Sequence, residues 1–554
     1  MNRQIVPCFF TVLVFVFSYD LQQLDKDIEE TFKCHDNPGL SVAIVKDGQT
    51  IFTKGYGVRD FDSKDKVTNE TLFLIASLSK AFAATLVVKL LQKSQYTLQT
   101  TVKEILGPNF KFADDLRTEY TTVEDLLSHR TGTPPNNFIR YDNNLTRNNL
   151  IKRVRYLEGS KTFRGSFIYS NVMYGLITTI AEKLGGKKWE KLVKEEIFDP
   201  LEMTSSTFST TIDYNNSNVA RGYIKDSGED TLVSTEFLRR WGLLCGSGCV
   251  MVNAVDMTNW MLFHLNGGKN RKGEQVLDTQ VLMDMGKSRS VARSFKYYNT
   301  PEFPRMTSRD GYGLGWFIGY YDGLKIQWHS GSTFGYRALL TLYPDENLGI
   351  FTSLTGHDDN YKYRISLHNY ITDKILGREP WLNVSTICSF PLPWLNDTES
   401  VDKVYKFIRP SLELSAYEGE YENKLYGNLV VYVNASRNQL EIVYGITRFS
   451  LKRFSVNSNK TEYFYGDGMG IIYQKDVSPF VFNLELQDGK IQSVTAEGFY
   501  GAKSPPIFTR KRVNTKGISA ALSPSKCFYI FVLLLWRKKS TNIKLVHSVI
   551  MMIA

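Results

Sequence analysis

The chain has 554 residues and a formal net charge of +10, and its composition of 42% hydrophobic and 22% charged residues is ordinary for a globular protein. That length predicts two to four domains and is ample for a large core. A mildly basic surface without a nucleic-acid-binding motif argues against a nucleic-acid partner.

The first residues have the pattern of a secretory signal peptide, covering 1–18. Arg3 supplies the positive charge, the run 5–17 is mostly apolar, and Ser18 suits a cleavage site. The apolar run is short for a membrane span, with an uncleaved anchor as the alternative. We therefore expect a secreted, extracellular protein without a stable membrane anchor.

Secretion makes disulfides and glycans expected features. Two disulfides, in one of three pairings, can form among the four cysteines of the chain's body: Cys34, Cys245, Cys249 and Cys388. Cys245 and Cys249 could also be half of a zinc site, but no second pair has matching spacing, so no metal is expected. Several N-x-S/T acceptors, among them Asn69, are compatible with a glycoprotein.

In chain order, the first elements predicted are a hairpin and a helix. Residues 39–58 alternate around an Asp-Gly turn, and 77–93 carry an apolar stripe at helical spacing. Further helices are predicted at 122–128, 170–184 and 254–265, and strands at 327–328, 338–343 and 348–353. Helices between early and late strands predict an α/β (α+β) domain with a mostly antiparallel sheet.

The remainder of the chain changes in composition. A proline-containing segment at 380–410 predicts a linker after a first domain at 19–379. Short alternating runs at 411–512 predict a small antiparallel β-barrel or sheet domain. The tail at 513–554 is predicted to be disordered, since its apolar run is too short to span a bilayer.

Residues Ser77 and Lys80 have the spacing that carries chemistry. One helical turn places them on the same face, and an amine beside a hydroxyl can activate serine without histidine. The spacing alone is weak, because a surface serine and a solvated lysine would produce it by chance.

Three further motifs strengthen the functional interpretation of Ser77 and Lys80. They are Tyr169-Ser170-Asn171, His329-Ser330-Gly331-Ser332 and the stretch 126–132. Each alone has a structural explanation: a buried tyrosine, a glycine that lets backbone approach closely, and a helix C-cap. In this order with Ser77 and Lys80, they resemble the serine β-lactamase and penicillin-binding-protein-like family, class C type.

The resemblance covers roughly residues 39–376 and implies an antiparallel sheet flanked by helices plus an all-helical subdomain. It makes 19–379 a serine hydrolase domain. The stretch 414–427 is similar to the lipocalin-like domain attached to some of these hydrolases. A β accessory domain without a catalytic role explains that stretch equally well.

The resemblance also implies residue roles. Ser77 is the nucleophile, Lys80 or Tyr169 takes its proton, and the Ser77 and Ser332 backbone N–H groups form the oxyanion hole. Asn171 orients substrate or Lys80. His329, Gly331 and Ser332 belong to the substrate-binding strand, and the charge of His329 is expected to vary near neutral pH.

Two functions remain open at this point. The first is a secreted serine hydrolase that cleaves amide or ester carbonyls of a small-molecule or peptide substrate, without cofactor or metal. The alternative is a secreted binding or extracellular-matrix protein that keeps the fold but has little or no turnover.

Overall fold

The computed structural model describes residues 20–215, 217–226, 228–292, 307–358, 362–389, 405–456, 458–470, 477–499 and 505–512. The predicted signal peptide (1–18) and the predicted tail (513–554) therefore lie outside the described residues. The described residues up to Thr509 form one compact unit.

Helices occupy mainly the region between the second and ninth strands. Their bounds are α1 (Leu21–Lys33), α2 (Ser79–Gln92), α3 (Val102–Leu106), α4 (Asp115–Tyr120), α5 (Val123–Leu127), α6 (Arg147–Arg153), α7 (Asn171–Gly185), α8 (Trp189–Val193), α9 (Thr235–Arg239), α10 (Ala254–Leu265), α11 (Thr279–Met285), α12 (Lys362–Ile375) and α13 (Val384–Ser389). Among the described residues, no helix is both long enough and apolar enough to cross a lipid bilayer.

The strands before residue 360 form one large sheet and two small ones. Their bounds are β1 (Gly39–Lys46), β2 (Gln49–Gly57), β3 (Phe73–Leu74), β4 (Thr207–Phe208), β5 (Tyr223–Asp226), β6 (Glu229–Leu232), β7 (Val250–Val252), β8 (Ser290–Val291), β9 (Thr307–Tyr312), β10 (Phe317–Tyr321), β11 (Leu324–Thr333), β12 (Tyr336–Tyr343) and β13 (Leu348–Thr355). The large sheet has the order β2-β1-β13-β12-β11-β10-β9-β8, and its neighbours pair antiparallel.

Both faces of this sheet are covered, as the period-two pattern of its strands requires. In β1, Val42 and Ile44 pack with α1 and α12 on one face. Ala43 and Val45 point to the opposite face and join the core that contains α2, α7 and α10. The predicted antiparallel sheet flanked by helices is confirmed.

A closed barrel follows the hydrolase-like region. Strands β14, β15, β16, β17, β18, β19, β22 and β23 close it in that order. The bounds of the C-terminal strands are β14 (Gly419–Asn423), β15 (Gly427–Asn434), β16 (Gln439–Tyr444), β17 (Thr447–Phe454), β18 (Thr461–Met469), β19 (Val477–Asn483), β20 (Leu486–Gln487), β21 (Lys490–Ile491), β22 (Ser493–Ala496) and β23 (Ile507–Arg510). The predicted small antiparallel β-barrel is confirmed.

Two disulfides select one of the three pairings left open by the sequence. Cys34 pairs with Cys388 and ties the end of α1 to α13, across a sequence separation of 354 residues. Cys245 pairs with Cys249 and closes a short loop. The segment predicted as a linker therefore begins with a helix that is covalently tied to the first domain, and its residues 390–404 lie outside the described residues.

Candidate active site

Ser77 lies where an antiparallel strand turns into the helical region. The strand β3 pairs with β7, the Ile75 N–H donates to the Val250 carbonyl at 3.1 Å, and a 3-10 helix (Ala76–Leu78) leads into α2. Ala76 has a φ of 43°, a left-handed conformation that is uncommon for a residue with a Cβ. Backbone of this kind often marks functional sites, and here it immediately precedes the one partly exposed residue of a buried turn.

Lys80 is buried directly behind Ser77. Its Nζ lies 3.2 Å from Ser77 Oγ, and it donates to Asn171 Oδ1 at 2.7 Å and to the Ser247 carbonyl at 3.0 Å. Its side chain is fully buried, and burial lowers the pKa of Lys80 well below its usual value. The predicted proximity of Ser77 and Lys80 is present, with both side chains on one face of the helix start.

Aromatic rings surround the Lys80 amine. Its Nζ lies 4.5 Å from the centroid of the Tyr169 ring and 5.4 Å from that of Tyr174. Tyr169 thus meets Lys80 through its ring face, a contact that stabilises a positive charge. The structure brings Tyr169 to the site, as the sequence predicts.

Asn171 is the first residue of α7 and connects the lysine to the opposite wall of the site. Its Oδ1 accepts from Lys80, and its Nδ2 donates to Asn137 Oδ1 at 2.8 Å. These two hydrogen bonds fix the orientation of the Asn171 side-chain amide, whose oxygen faces the Lys80 amine.

Strand β11 passes unusually close to the nucleophile. A Cβ on Gly331 would lie 1.9 Å from the Ile75 carbonyl oxygen, so only glycine permits this approach. Gly315 has a similar function behind the lysine: its φ is 76°, and a Cβ there would lie 2.8 Å from the Lys80 carbonyl oxygen. The close approach at Gly331 accounts physically for the glycine of the 329–332 motif.

His329 lies on β11, but it is buried beside the site and does not line its open part. Its Nδ1 lies 2.7 Å from the Ser330 carbonyl and its Nε2 lies 3.3 Å from the Tyr312 hydroxyl. Burial, reinforced by the charge of Lys80, lowers the pKa of His329 to about 3. The expectation that its charge varies near neutral pH was wrong, because the imidazole stays neutral there.

The exposed side of Ser77 opens into a cleft of about 490 Å³. Asn171 and Ser332 line it, whereas Lys80, Tyr169, His329 and Gly331 lie behind its surface. The other lining side chains are aromatic, basic, aliphatic or amide- and hydroxyl-bearing: Asn137, Phe138, Arg140, Tyr141, Ile224, Trp241, Thr333, Phe334 and Arg337. Among the described residues that line this cleft, none is an aspartate or a glutamate.

The comparison with known protein families agrees with this geometry. A family model described as Beta-lactamase matches residues 24–367. The chain belongs to the beta-lactamase family. The matched region includes the large sheet, the helical region and all of the site residues described above.

Relatives of this beta-lactamase-family chain include hydrolases by name. It is 36% identical to Gigasin-6 of Magallana gigas, over 47% of this chain and 88% of that protein. It is 26% identical to unguisins hydrolase ungD of Aspergillus violaceofuscus, over 75% of this chain and 77% of that protein. The octameric penicillin-binding protein homologue of Pyrococcus abyssi superimposes with a TM-score of 0.54 at 20% identity, covering 88% of this chain and 100% of that one, which shows a shared fold.

The sequence did not reveal two groups that hold the site together in this family member. The first is the Ser247 carbonyl, which lies inside the Cys245–Cys249 loop and accepts from Lys80. The second is His129, whose Nδ1 accepts the Ser170 N–H at 3.1 Å and so fixes the segment that carries Tyr169. The motif at 126–132 contains His129 and could have pointed to it, whereas a backbone carbonyl leaves no signature in a sequence.

Proposed function

We propose that this protein is a secreted serine hydrolase of the class C type, which cleaves amide or ester carbonyls through an acyl-enzyme on Ser77. The observation that carries the proposal is the buried Lys80 amine 3.2 Å from Ser77 Oγ, with a pKa held well below its usual value by burial. Lowering the pKa of a lysine favours the neutral amine, which is the form that can accept a proton.

The hydrogen bonds of Lys80 support its role as the base. A neutral amine has two N–H donors and one lone pair, and two acceptors lie within reach: Asn171 Oδ1 and the Ser247 carbonyl. The third neighbour, the Ser77 hydroxyl, can donate its proton to the lone pair. Tyr169 then has the supporting role, because its ring face stabilises the ammonium that forms.

The backbone around Ser332 supports an oxyanion hole. Thr333 and Tyr336 close a two-residue hairpin, and in such a ladder alternate pairs exchange their hydrogen bonds. The pair that closes the hairpin, Thr333 and Tyr336, is hydrogen-bonded. The next pair, Ser332 and Arg337, is therefore not hydrogen-bonded, and the Ser332 N–H points away from β12. β11 lies against the Ile75–Ser77 backbone at Gly331, which supports the binding of one substrate oxygen by this N–H and that of Ser77.

The reaction then has two balanced halves. Ser77 Oγ bonds to the substrate carbonyl carbon while its proton moves to Lys80, and collapse of the tetrahedral intermediate expels the amine or alcohol, which takes that proton. Water attacks the resulting ester, the Ser77–acyl bond breaks, and the proton lost by water restores the Ser77 hydroxyl. The ammonium form of Lys80 exists only between these transfers.

The remaining predicted residues fit this scheme with one change of role. Asn171 and Ser332 line the cleft and can contact substrate, whereas His329 and Gly331 are buried and position β11. Secretion is supported by the N-terminal pattern and by the two disulfides. The eight-stranded closed barrel supports a lipocalin-like interpretation of the C-terminal domain.

Hydrolysis of a panel of 4-nitrophenyl esters and 4-nitroanilides by the secreted protein tests the proposal. We expect Ser77→Ala to lower kcat by at least about a thousandfold, since the nucleophile is lost. The matched control is Ser94→Ala, an exposed serine just beyond the C-terminal end of α2, which should keep wild-type rates. Absence of any Ser77-dependent turnover would instead favour the binding or matrix protein.

A further inference from the structure

We propose that Arg140 is a carboxylate-binding subsite of the catalytic cleft, so that the preferred substrates carry a carboxylate in addition to the reacting carbonyl. The substrate assignment rests on the proposed hydrolase function, whereas the anion site itself does not require turnover.

Arg140 is placed at the cleft by the 3-10 helix Asn137–Tyr141. It lines the cleft together with Ser77, yet only 5% of its surface is exposed. The only side-chain acceptor it meets among the described residues is the Tyr141 hydroxyl, to which Nη2 donates at 2.6 Å. A guanidinium remains charged even when buried, so a nearly desolvated positive charge stands at the wall of the site.

Aromatic rings contact this guanidinium at close range. Its central carbon lies 4.0 Å from the centroid of Trp241, 4.5 Å from that of Tyr141 and 5.1 Å from that of Phe237. Contacts of this kind stabilise a guanidinium charge. Three rings therefore surround Arg140 where a counter-ion would otherwise be expected.

No protein carboxylate neutralises Arg140 within the described part of the chain. Its Nε and Nη1 have no hydrogen-bond acceptor there. The nearest acid in sequence, Asp142, is paired with Arg153 at 2.6 Å. A buried cation without a counter-ion is costly, and a ligand carboxylate in the cleft would supply the missing negative charge.

The second arginine of the cleft is already engaged. Arg337 Nη1 donates to the carbonyls of Thr333 and Tyr336, within its own hairpin. The described lining of the cleft contains two arginines and no acidic residue, so the positive charge of the cleft favours an anionic ligand. A planar carboxylate fits the fork of one guanidinium, whereas a phosphate usually needs several cations or donors, so we assign the subsite to a carboxylate.

A pair of esters of equal chain length tests this assignment: the 4-nitrophenyl monoester of glutarate, which is anionic, and 4-nitrophenyl valerate, which is neutral. For the wild type we expect kcat/KM to be at least about tenfold higher for the anionic ester. Arg140→Met should abolish this preference, so that the two esters are hydrolysed with equal kcat/KM. The control Lys26→Met removes the same charge from an exposed residue outside the cleft and should keep the preference.

Two results would overturn the proposal. The first is a wild-type enzyme without preference, and the second is a preference that survives Arg140→Met. If Arg337→Met removed a surviving preference, the subsite would belong to Arg337 instead.

Binding without turnover separates this proposal from the proposed hydrolase function. Glutarate should raise the melting temperature of Ser77→Ala more than its neutral analogue glutaramide does, and Ser77→Ala/Arg140→Met should lose the difference. If no ester is hydrolysed but this binding difference holds, the hydrolase proposal fails and the subsite stands. If esters are hydrolysed but glutarate and glutaramide bind Ser77→Ala equally, the carboxylate subsite proposal fails. This comparison does not depend on whether the Arg140 variant folds.

Discussion

Lys80 is the residue whose ionisation decides the chemistry of the site. Burial disfavours its ammonium form, and the charge formed during catalysis is accommodated by Asn171, the Ser247 carbonyl and the Tyr169 ring. The active base is the neutral amine, so activity grows as the pH rises through the lowered pKa and then levels off.

We therefore expect kcat/KM of the wild type to reach its plateau well below pH 10.5, the ordinary pKa of lysine. Lys80→Arg, which cannot lose its proton, should reduce kcat/KM by at least about a thousandfold across that range. The measurement is the pH profile of ester hydrolysis. A profile that still climbs near pH 10.5 would show that Lys80 is not the base.

Burial of Lys80 also lowers the free energy of unfolding, and the direction of its pH dependence follows from the lowered pKa of Lys80. The unfolded chain keeps the lysine protonated up to about pH 10.5, whereas the folded chain releases the proton at lower pH. The free energy of unfolding should therefore rise with pH between those two values. Lys80→Met should remove that slope and stabilise the protein at neutral pH by about 1–2 kcal/mol, measured by urea denaturation at several pH values.

The sequence predicted which residues form the site better than it predicted the burial and protonation of their side chains. Ser77, Lys80, Tyr169 and Asn171 follow from motif order and do converge. The neutrality of His329 could not be predicted, because it arises from the burial of its side chain and from the nearby Lys80 in the folded chain.

Among the elements, the Cys245–Cys249 loop is placed to control the lysine. Both cysteines are fully buried, and the Ser247 carbonyl between them accepts from Lys80. The loop is also fixed to α7, because the Gly246 N–H donates to Thr178 Oγ1 at 2.9 Å. The disulfide thus holds one of the three groups that position the amine.

The two disulfides should differ in what they support. We expect Cys245→Ser/Cys249→Ser to lower kcat by about tenfold or more and to change the pH profile, since the Lys80 acceptor is no longer held. The matched control, Cys34→Ser/Cys388→Ser, opens a much longer loop and should cost about 2–5 kcal/mol of stability with kcat retained in the folded protein. Equal effects of the two double variants on kcat would contradict this division.

The positions of helices and strands could be predicted from the sequence, but the contacts between distant elements could not. Periodicity located the hairpin of β1 and β2 and the helices α2, α7 and α10 to within a few residues, since each has a strong apolar pattern. The disulfide pairing could not be derived, because it depends on α13 meeting α1 across the whole first domain.

For the whole molecule, the barrel and the cleft share a wall. The segment around residues 136–142 lines the cleft through Phe138 and contacts the barrel on its other side. Phe138 stacks on Phe499 with ring centroids 4.5 Å apart, and the Tyr426 hydroxyl donates to Asn136 Oδ1 at 2.7 Å. The same stretch carries Arg140, so the barrel supports the substrate side of the site.

We expect Phe499→Ala to raise KM by about threefold to tenfold while kcat changes less than twofold, because the cleft wall loses its support and the nucleophile does not. The cavity should also cost about 3–5 kcal/mol of stability. Steady-state kinetics at a temperature where the variant is folded measure the effect, with the exposed barrel residue Val430→Ala as the control. An unchanged KM in folded Phe499→Ala would mean that the barrel does not support the cleft.

The most direct measurement of the central proposal is intact-protein mass spectrometry after treatment with a fluorophosphonate, followed by peptide mapping. An activated Ser77 predicts one adduct per chain, located on Ser77, that disappears in Ser77→Ala, slows strongly in Lys80→Met and persists in Ser94→Ala. No adduct on the folded wild-type protein, or an adduct that survives Ser77→Ala, would contradict an acyl-enzyme mechanism at Ser77.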